Sequence, residues 1–236
     1  MRKIGFSTGA VAKGDFRRAL LRLQEYGVSA VELSALRLSE LQPLTNSLHE
    51  LDLSSFDFVS FHAPSRYAPA DEAFVVSEAE VLARRGMPIV VHPDVLFTDA
   101  WNRLGSSLLI ENMDKRKDVG RTAADLLLLF DRFPAARFCF DIGHARQVDP
   151  TMTEARLILD AVGDRIAEVH ISEVNTASRH DPLSIYAIAA FSAISALIPE
   201  DVPVILETLI DQGQSDIGTE IDRARRALDS PVLSAR

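Results

Sequence analysis

Six short apolar runs in this chain each end on a side chain able to ligate a metal: VSF-His62, PIVV-His92, SLLI-Glu111, FCF-Asp141, IAEV-His170 and VIL-Glu207. An apolar run of about four residues bounded by turn signals reads as a buried strand. A charge at a core boundary is costly unless it is paired or ligated. One polar strand end is an ordinary cap, but six in chain order read as one site assembled from six strand tips. A metal-dependent enzyme is therefore expected ahead of a binding or structural module.

Glu111, Asp141, His170 and Glu207 form the inner candidate set. Three carboxylates and one imidazole suit a divalent cation that accepts oxygen and nitrogen: Mn²⁺, Mg²⁺, Co²⁺, Fe²⁺ or Zn²⁺. His62 and His92 stand on neighbouring strands. They either form a second metal site with Glu111 as bridge or, as neutral imidazoles, hydrogen-bond substrate or loop backbone. His144 follows Asp141 by three residues, past a strand end where Gly143 permits a sharp turn. His180 sits in SRHDP, after the seventh strand. Each is a further ligand or a substrate contact. Glu32 shares the strand-tip register and faces the site or makes a rim salt bridge. Arg66, Tyr67, Trp101, Lys115 and Arg179 follow strand tips, where a sugar or phosphate is contacted, though such positions are ordinarily plain loop. Lys115, Arg116 and Lys117 form the one compact basic cluster, by default a solvated turn. His49, in LHELD, reads as a surface helix residue.

Spacing then fixes the elements that carry these groups. Glu32 to His62, His62 to His92 and Glu111 to Asp141 are each 30 residues, Asp141 to His170 is 29, and His170 to Glu207 is 37. A strand, a helix and two loops take about 30 residues in a (β/α)8 barrel of about 250 residues. The His92–Glu111 interval is only 19 residues, room for a turn of helix around Trp101. Between the strands, a helix runs from Asp15 as N-cap to Gly27 at its C-terminus. Further helices are expected around 38–50, 71–85, 152–162 and 184–198, in TAADLLLLFDRF, and in IGTEIDRARRAL. Strands separated by helices pair in parallel, because a parallel return needs a long crossover. In an open sheet, six tips about 4.8 Å apart would spread over roughly 24 Å. They could not share one metal with ligands about 2.0–2.3 Å away. A closed barrel brings them together at its C-terminal strand ends. The fold class expected is α/β, a (β/α)8 TIM barrel, with one domain over residues 1–236.

Bulk properties narrow the partners. Formal net charge is −9 and mean hydropathy +0.07. Nucleic acid and anionic membrane are disfavoured, since phosphate binding normally shows as a basic face. The lone Cys139 cannot form an intramolecular disulfide and reads as a buried, inert thiol. MRKIGFSTGA turns polar too soon for a signal peptide, and no apolar stretch approaches a membrane span of about 18 residues. A cytoplasmic location is the resulting expectation, and homo-oligomer formation is compatible with the sequence.

The segments SFHAPS, IVVHPD, LIENMD, FDIGHA, EVHISEVN, SRHDPL and ILET, in this order, resemble the xylose isomerase-like barrel superfamily. That group holds sugar isomerases and epimerases and the endonuclease IV family of abasic-site nucleases. The resemblance implies that Glu111, Asp141, His170 and Glu207 form the shared metal site. It implies that Glu111 and Glu207 flank the substrate carbon as catalytic residues, with Glu173 beside the site. It also matches His62 and His92, with Glu111 bridging, to a second metal site of the endonuclease branch. His144 and His180 match two ligands of a third. The acid that completes that third site is here Ser178, with Asp181 as the candidate substitute.

The first reading is a metal-dependent isomerase or epimerase acting on a small polyhydroxy or phosphorylated substrate, with one to three metals per chain. The second is a multinuclear metal phosphoesterase. The chain's acidity and its lack of room for long basic loops turn that activity away from duplex DNA. Iron-dependent oxygen chemistry is the third.

Overall fold

The computed structural model describes residues 2–210 and 215–229. Residues 1, 211–214 and 230–236 of the expected 1–236 domain lie outside that range. Seven strands come first: β1 Ile4–Ser7, β2 Ala30–Ser34, β3 Phe58–His62, β4 Ile89–Val91, β5 Leu108–Glu111, β6 Arg137–Asp141 and β7 Ile166–Ile171. A small hairpin follows, β8 Glu173–Val174 with β9 His180–Asp181, and then the last strand, β10 Val204–Leu206. Strands β1 to β7 and β10 close into one barrel, every neighbour parallel, with β10 between β7 and β1. This is the (β/α)8 barrel expected from the spacing.

The helices α2 Phe16–Glu25, α3 Leu38–Ser47, α4 Glu72–Ala83, α5 Ala123–Arg132, α7 Thr153–Val162, α8 Ile185–Ser192 and α9 Ile217–Leu228 alternate with the strands. Their ends obey the signals in the sequence. Asp15 caps α2 by accepting a hydrogen bond from the Arg18 amide, and Gly27 takes φ +61° just beyond the helix, where a side chain would be strained. Thr122 and Asp125 form a reciprocal capping box at α5. The inward stripe of α2, Ala19, Leu20 and Leu23, is buried, as are Ile217, Ala224 and Leu228 of α9. The short β4–β5 connection carries only 3₁₀ turns, Pro93–Val95 and Asp99–Ser107.

Two short helices stand where loops were expected: α1 Thr8–Ala12 and α6 Ile142–Val148. Gly143 lies inside α6, so it is not a turn glycine. A Cβ there would sit 2.4 Å from the Ser172 carbonyl, and glycine is needed for this close approach. His49 lies in a turn after α3, with its side chain 70% exposed.

The main core fills the layer between barrel and helices. A second small cluster, Val90, Leu109, Cys139 and Ala167, is separate from it. Alternate residues of a strand share a face. Val90, Leu109 and Cys139 therefore share the barrel-facing side with His92, Glu111 and Asp141, two positions further on. They form an apolar floor beneath the site. Burial raises the Cys139 thiol pKa well above its usual range, in keeping with an inert thiol. Among the described residues no helix is long and apolar enough to cross a membrane.

Candidate metal centre

The strand ends deliver their side chains to one place. Ligand atoms of Glu111, Asp141, His170 and Glu207 all lie within 4.8 Å of one another, and so do those of His62, His92 and Glu111. Five of the chain's six histidines reach this end of the barrel.

Glu111 is the hub. One oxygen, Oε2, is 3.1 Å from His92 Nε2 and 3.3 Å from His62 Nε2. The other, Oε1, is 3.3 Å from His170 Nδ1 and 3.5 Å from His144 Nδ1. Burial alone would raise its pKa, but the surrounding imidazoles, His170 first, hold it well below the usual carboxylate range. Asp141 goes the other way. Burial, reinforced by the charges of Glu207 and Glu111, pushes it well above its ordinary value. Without a metal, carboxylates this close cannot all ionise, and the proton resides on the most deeply buried one.

The donors fit a divalent cation. Asp141 Oδ2 and Glu207 Oε2 are buried with no hydrogen-bond donor, although the surrounding site is polar. Buried carboxylate oxygens are ordinarily satisfied, and a cation held by these oxygens and His170 Nδ1 would satisfy them. A ligating histidine normally offers its other nitrogen to a carboxylate. His170 Nε2 lies 3.2 Å from Glu32 Oε2 and 3.4 Å from Glu168 Oε1. Both carboxylates are fully buried, and Ser60 Oγ donates to Glu168 Oε1 at 2.8 Å.

This geometry corrects several expectations. Glu32 is no rim residue: it is fully buried inside the barrel beside His170, and with His170 and His62 it forms a further group of possible ligands. Trp101 is no substrate contact: its ring is wholly buried and its indole N–H donates to Glu72 at 3.0 Å. His144 and His180 do not assemble a third centre among the described residues. His144 Nδ1 leans 3.3 Å from Asp141 Oδ2, and His180 Nδ1 lies 3.2 Å from Glu207 Oε2. Asp181 accepts a hydrogen bond from Asn175 at 2.7 Å, and Ser178 Oγ accepts one from Gln147, so neither joins them. Glu173 is spent on Arg146 and on the Ser184 amide. Lys115 and Arg179 are exposed on loops, whereas Arg66 borders a pocket shared with His92.

Sequence reading passed over Glu168, Ser60 and Asn112. Asn112 exchanges hydrogen bonds with the Asp141 backbone at 2.8 Å and fixes that strand end. Glu168 and Ser60 each stand two residues before a named histidine, so the two-residue period of a strand was a usable signal for both.

The histidines make metal uptake pH-dependent. Burial opposes protonation of His62, but the carboxylates of Glu32 and Glu111 outweigh it and raise its pKa from 6.5 to about 9. Between those values the metal-free fold holds a proton that the unfolded chain does not. The resulting stabilisation is complete below pH 6.5 and disappears as the pH rises through about 9. A metal must displace this proton. At pH 7.5, saturation with Zn²⁺ is expected to release about one proton per chain. Titration calorimetry in two buffers of different ionisation enthalpy measures this, and zero release would remove His62 from the ligand set.

No family model matches the chain, and no curated protein matches it. Among solved structures, an endonuclease IV from Thermus thermophilus is 18% identical, with 96% of this chain and 99% of that one covered at a TM-score of 0.60. The apo form of 3-keto-D-glucoside 4-epimerase, YcjR, from E. coli is 15% identical, with 98% and 100% covered, also at 0.60. Dihydropteroate synthase from Yersinia pestis is 12% identical, with 96% and 91% covered at 0.53. Identities this low establish architecture alone: the chain has the (β/α)8 barrel fold on which the xylose isomerase-like structures among these are built.

Proposed function

We propose that the chain is a divalent-metal-dependent isomerase or epimerase acting on a small polyhydroxy substrate. The observation that carries this reading is the convergence of Glu111, Asp141, His170 and Glu207 within 4.8 Å at the C-terminal mouth of the barrel. The cation these residues would hold supplies Lewis-acid polarisation of adjacent carbonyl and hydroxyl oxygens.

The protein groups divide the remaining work. Glu207 is 16% exposed while Glu111 is 1% exposed, so Glu207 is the carboxylate a substrate carbon can reach. It takes the proton beside the carbonyl. Returning that proton to the neighbouring carbon gives isomerisation; Glu111, buried and held ionised, carries no proton to deliver from the opposite face, so the geometry favours isomerisation. Burial would raise the pKa of Glu207, but His180 and His170 hold it below the usual value, so it is ionised and able to accept.

A second reading rests on its own observation. His62, His92 and Glu111 form a further three-ligand group, which fits a second metal and phosphoester hydrolysis by a metal-activated hydroxide. Metal content by mass spectrometry, on protein purified without chelator, separates the two when paired with turnover. One metal per chain and exchange of substrate protons with D₂O across a sugar panel are expected for the isomerase. Two metals with metal-dependent cleavage of bis(p-nitrophenyl) phosphate, and no exchange on any sugar, would replace it with the hydrolase.

A further inference from the structure

Beside His92 lies a pocket of about 370 Å³ lined by Ser65, Arg66, His92, Asp94, Arg116 and Lys117. It is built from the loops after β3, β4 and β5. His92 connects it to the centre above, since its Nε2 is 3.1 Å from Glu111. Three cations meet here against two carboxylates, Asp94 in the lining and Asp114 beneath Arg116, in a chain whose formal net charge is −9. Lys117 Nζ is fixed on Asp94 Oδ2 at 2.5 Å, and Arg116 is braced from below by the fully buried Asp114 at 2.9 Å. Arg66 is exposed, and among the described residues no carboxylate pairs with it. His92 Nδ1 is buried without a hydrogen-bond partner.

We infer that this pocket is a subsite for a phosphate monoester group, which makes the substrate of the reaction proposed above a phosphorylated polyol or sugar. The inference rests on that reading for the identity of the rest of the molecule, but not for the subsite itself. Lys117 and Arg116 are paired with Asp94 and Asp114, so Arg66 is the uncompensated cation, and all three side chains keep further N–H donors for a ligand with several oxygens. A phosphate dianion has three terminal oxygens and takes bidentate guanidinium donation. Arg66 and the free edge of Arg116 supply such donors, with Lys117 as a point charge and Ser65 as a neutral donor. The acidity of the whole chain turns away a nucleic-acid polyanion, while a compact dianion is drawn to the local cations.

The test is calorimetric titration of chelator-treated and of metal-reconstituted protein with inorganic phosphate, glycerol 3-phosphate and glycerol. Both phosphates are expected to bind at one site per chain in each form, and glycerol is not. Arg66→Ala removes an exposed side chain that bonds nothing, so the fold is retained. It is expected to weaken phosphate binding about tenfold in both forms, the value of one charge-assisted contact. Arg66→Lys should recover part of the loss. Phosphate binding that requires the metal, or an Arg66→Ala variant with wild-type affinity, would overturn the subsite. A 5′-phosphorylated oligonucleotide binding more tightly than glycerol 3-phosphate would overturn its assignment to a small molecule. Phosphate binding without proton exchange on any sugar sinks the isomerase reading and leaves the subsite. Exchange without phosphate binding does the reverse.

Discussion

Glu111→Ala is expected to abolish metal binding and to lower metal-dependent turnover by about 10³-fold or more, the scale of losing several kcal/mol of charge stabilisation. It is the one carboxylate of the centre that faces four imidazoles among the described residues. Its two oxygens face His62, His92, His144 and His170 between 3.1 and 3.5 Å. It belongs to two of the three candidate ligand groups among the described residues, so its loss removes a donor from each of those two. In the metal-free protein the same carboxylate is the anion around which these imidazoles gather. Glu111→Gln keeps the shape and loses the charge, so the cluster loses its central counter-charge and metal affinity falls with little change in packing. Metal content per chain and thermal melting with and without chelator separate the effects. No bound metal, with lowered melting of the chelated variant because the imidazoles lose their counter-charge, is the expected pair. Full metal occupancy in Glu111→Ala would mean the centre is elsewhere.

Gly5→Ala is expected to cost about 4 kcal/mol or more, or to leave the protein insoluble, a size reserved for substitutions the structure cannot absorb. Gly5 sits in β1 opposite Ala30 of β2, and an added Cβ would lie 1.6 Å from the Ala30 carbonyl oxygen and 2.3 Å from its carbon. Both are backbone atoms in the neighbouring barrel strand, which cannot step aside without opening the β1–β2 seam. Close packing transmits such a displacement and does not relax it locally. Gly163→Ala is the matched control. Gly163 follows α7 with φ −63°, and the nearest atom to an added Cβ is 3.9 Å away. A change within about 0.5 kcal/mol is expected there. Urea unfolding of both variants measures the contrast. Equal midpoints would mean that the β1–β2 seam tolerates a displacement that close packing is held to forbid.

Much of the architecture was legible because a buried parallel strand is written locally, as a short apolar run with turn signals at its end. The intervals near 30 residues then counted out a barrel, and the short His92–Glu111 interval correctly left room for turns only. Helix limits followed from caps such as Asp15 and Gly27, which act through neighbouring backbone groups. The convergence of the inner four candidate residues was legible for the same reason: each stands within one residue of a strand end, and strand ends converge in a closed barrel.

What the sequence left undecided depends on atoms distant along the chain. Trp101 and Arg66 both follow strand tips. One turns into the core onto Glu72 and the other stays at the mouth, because α4 supplies a buried acceptor to the first and nothing to the second. The resemblance matches His144 and His180 to a third centre, yet they lean on Asp141 and Glu207. Ser178 and Asp181 are held by Gln147 and Asn175, contacts that only the folded hairpin brings about. Glu168 looks like an ordinary polar interruption of a strand, and Glu32 equally like a rim residue, until the barrel closes and places both beside His170. Strand periodicity states which side of a strand a residue faces, but barrel closure and stagger decide which residue it meets there.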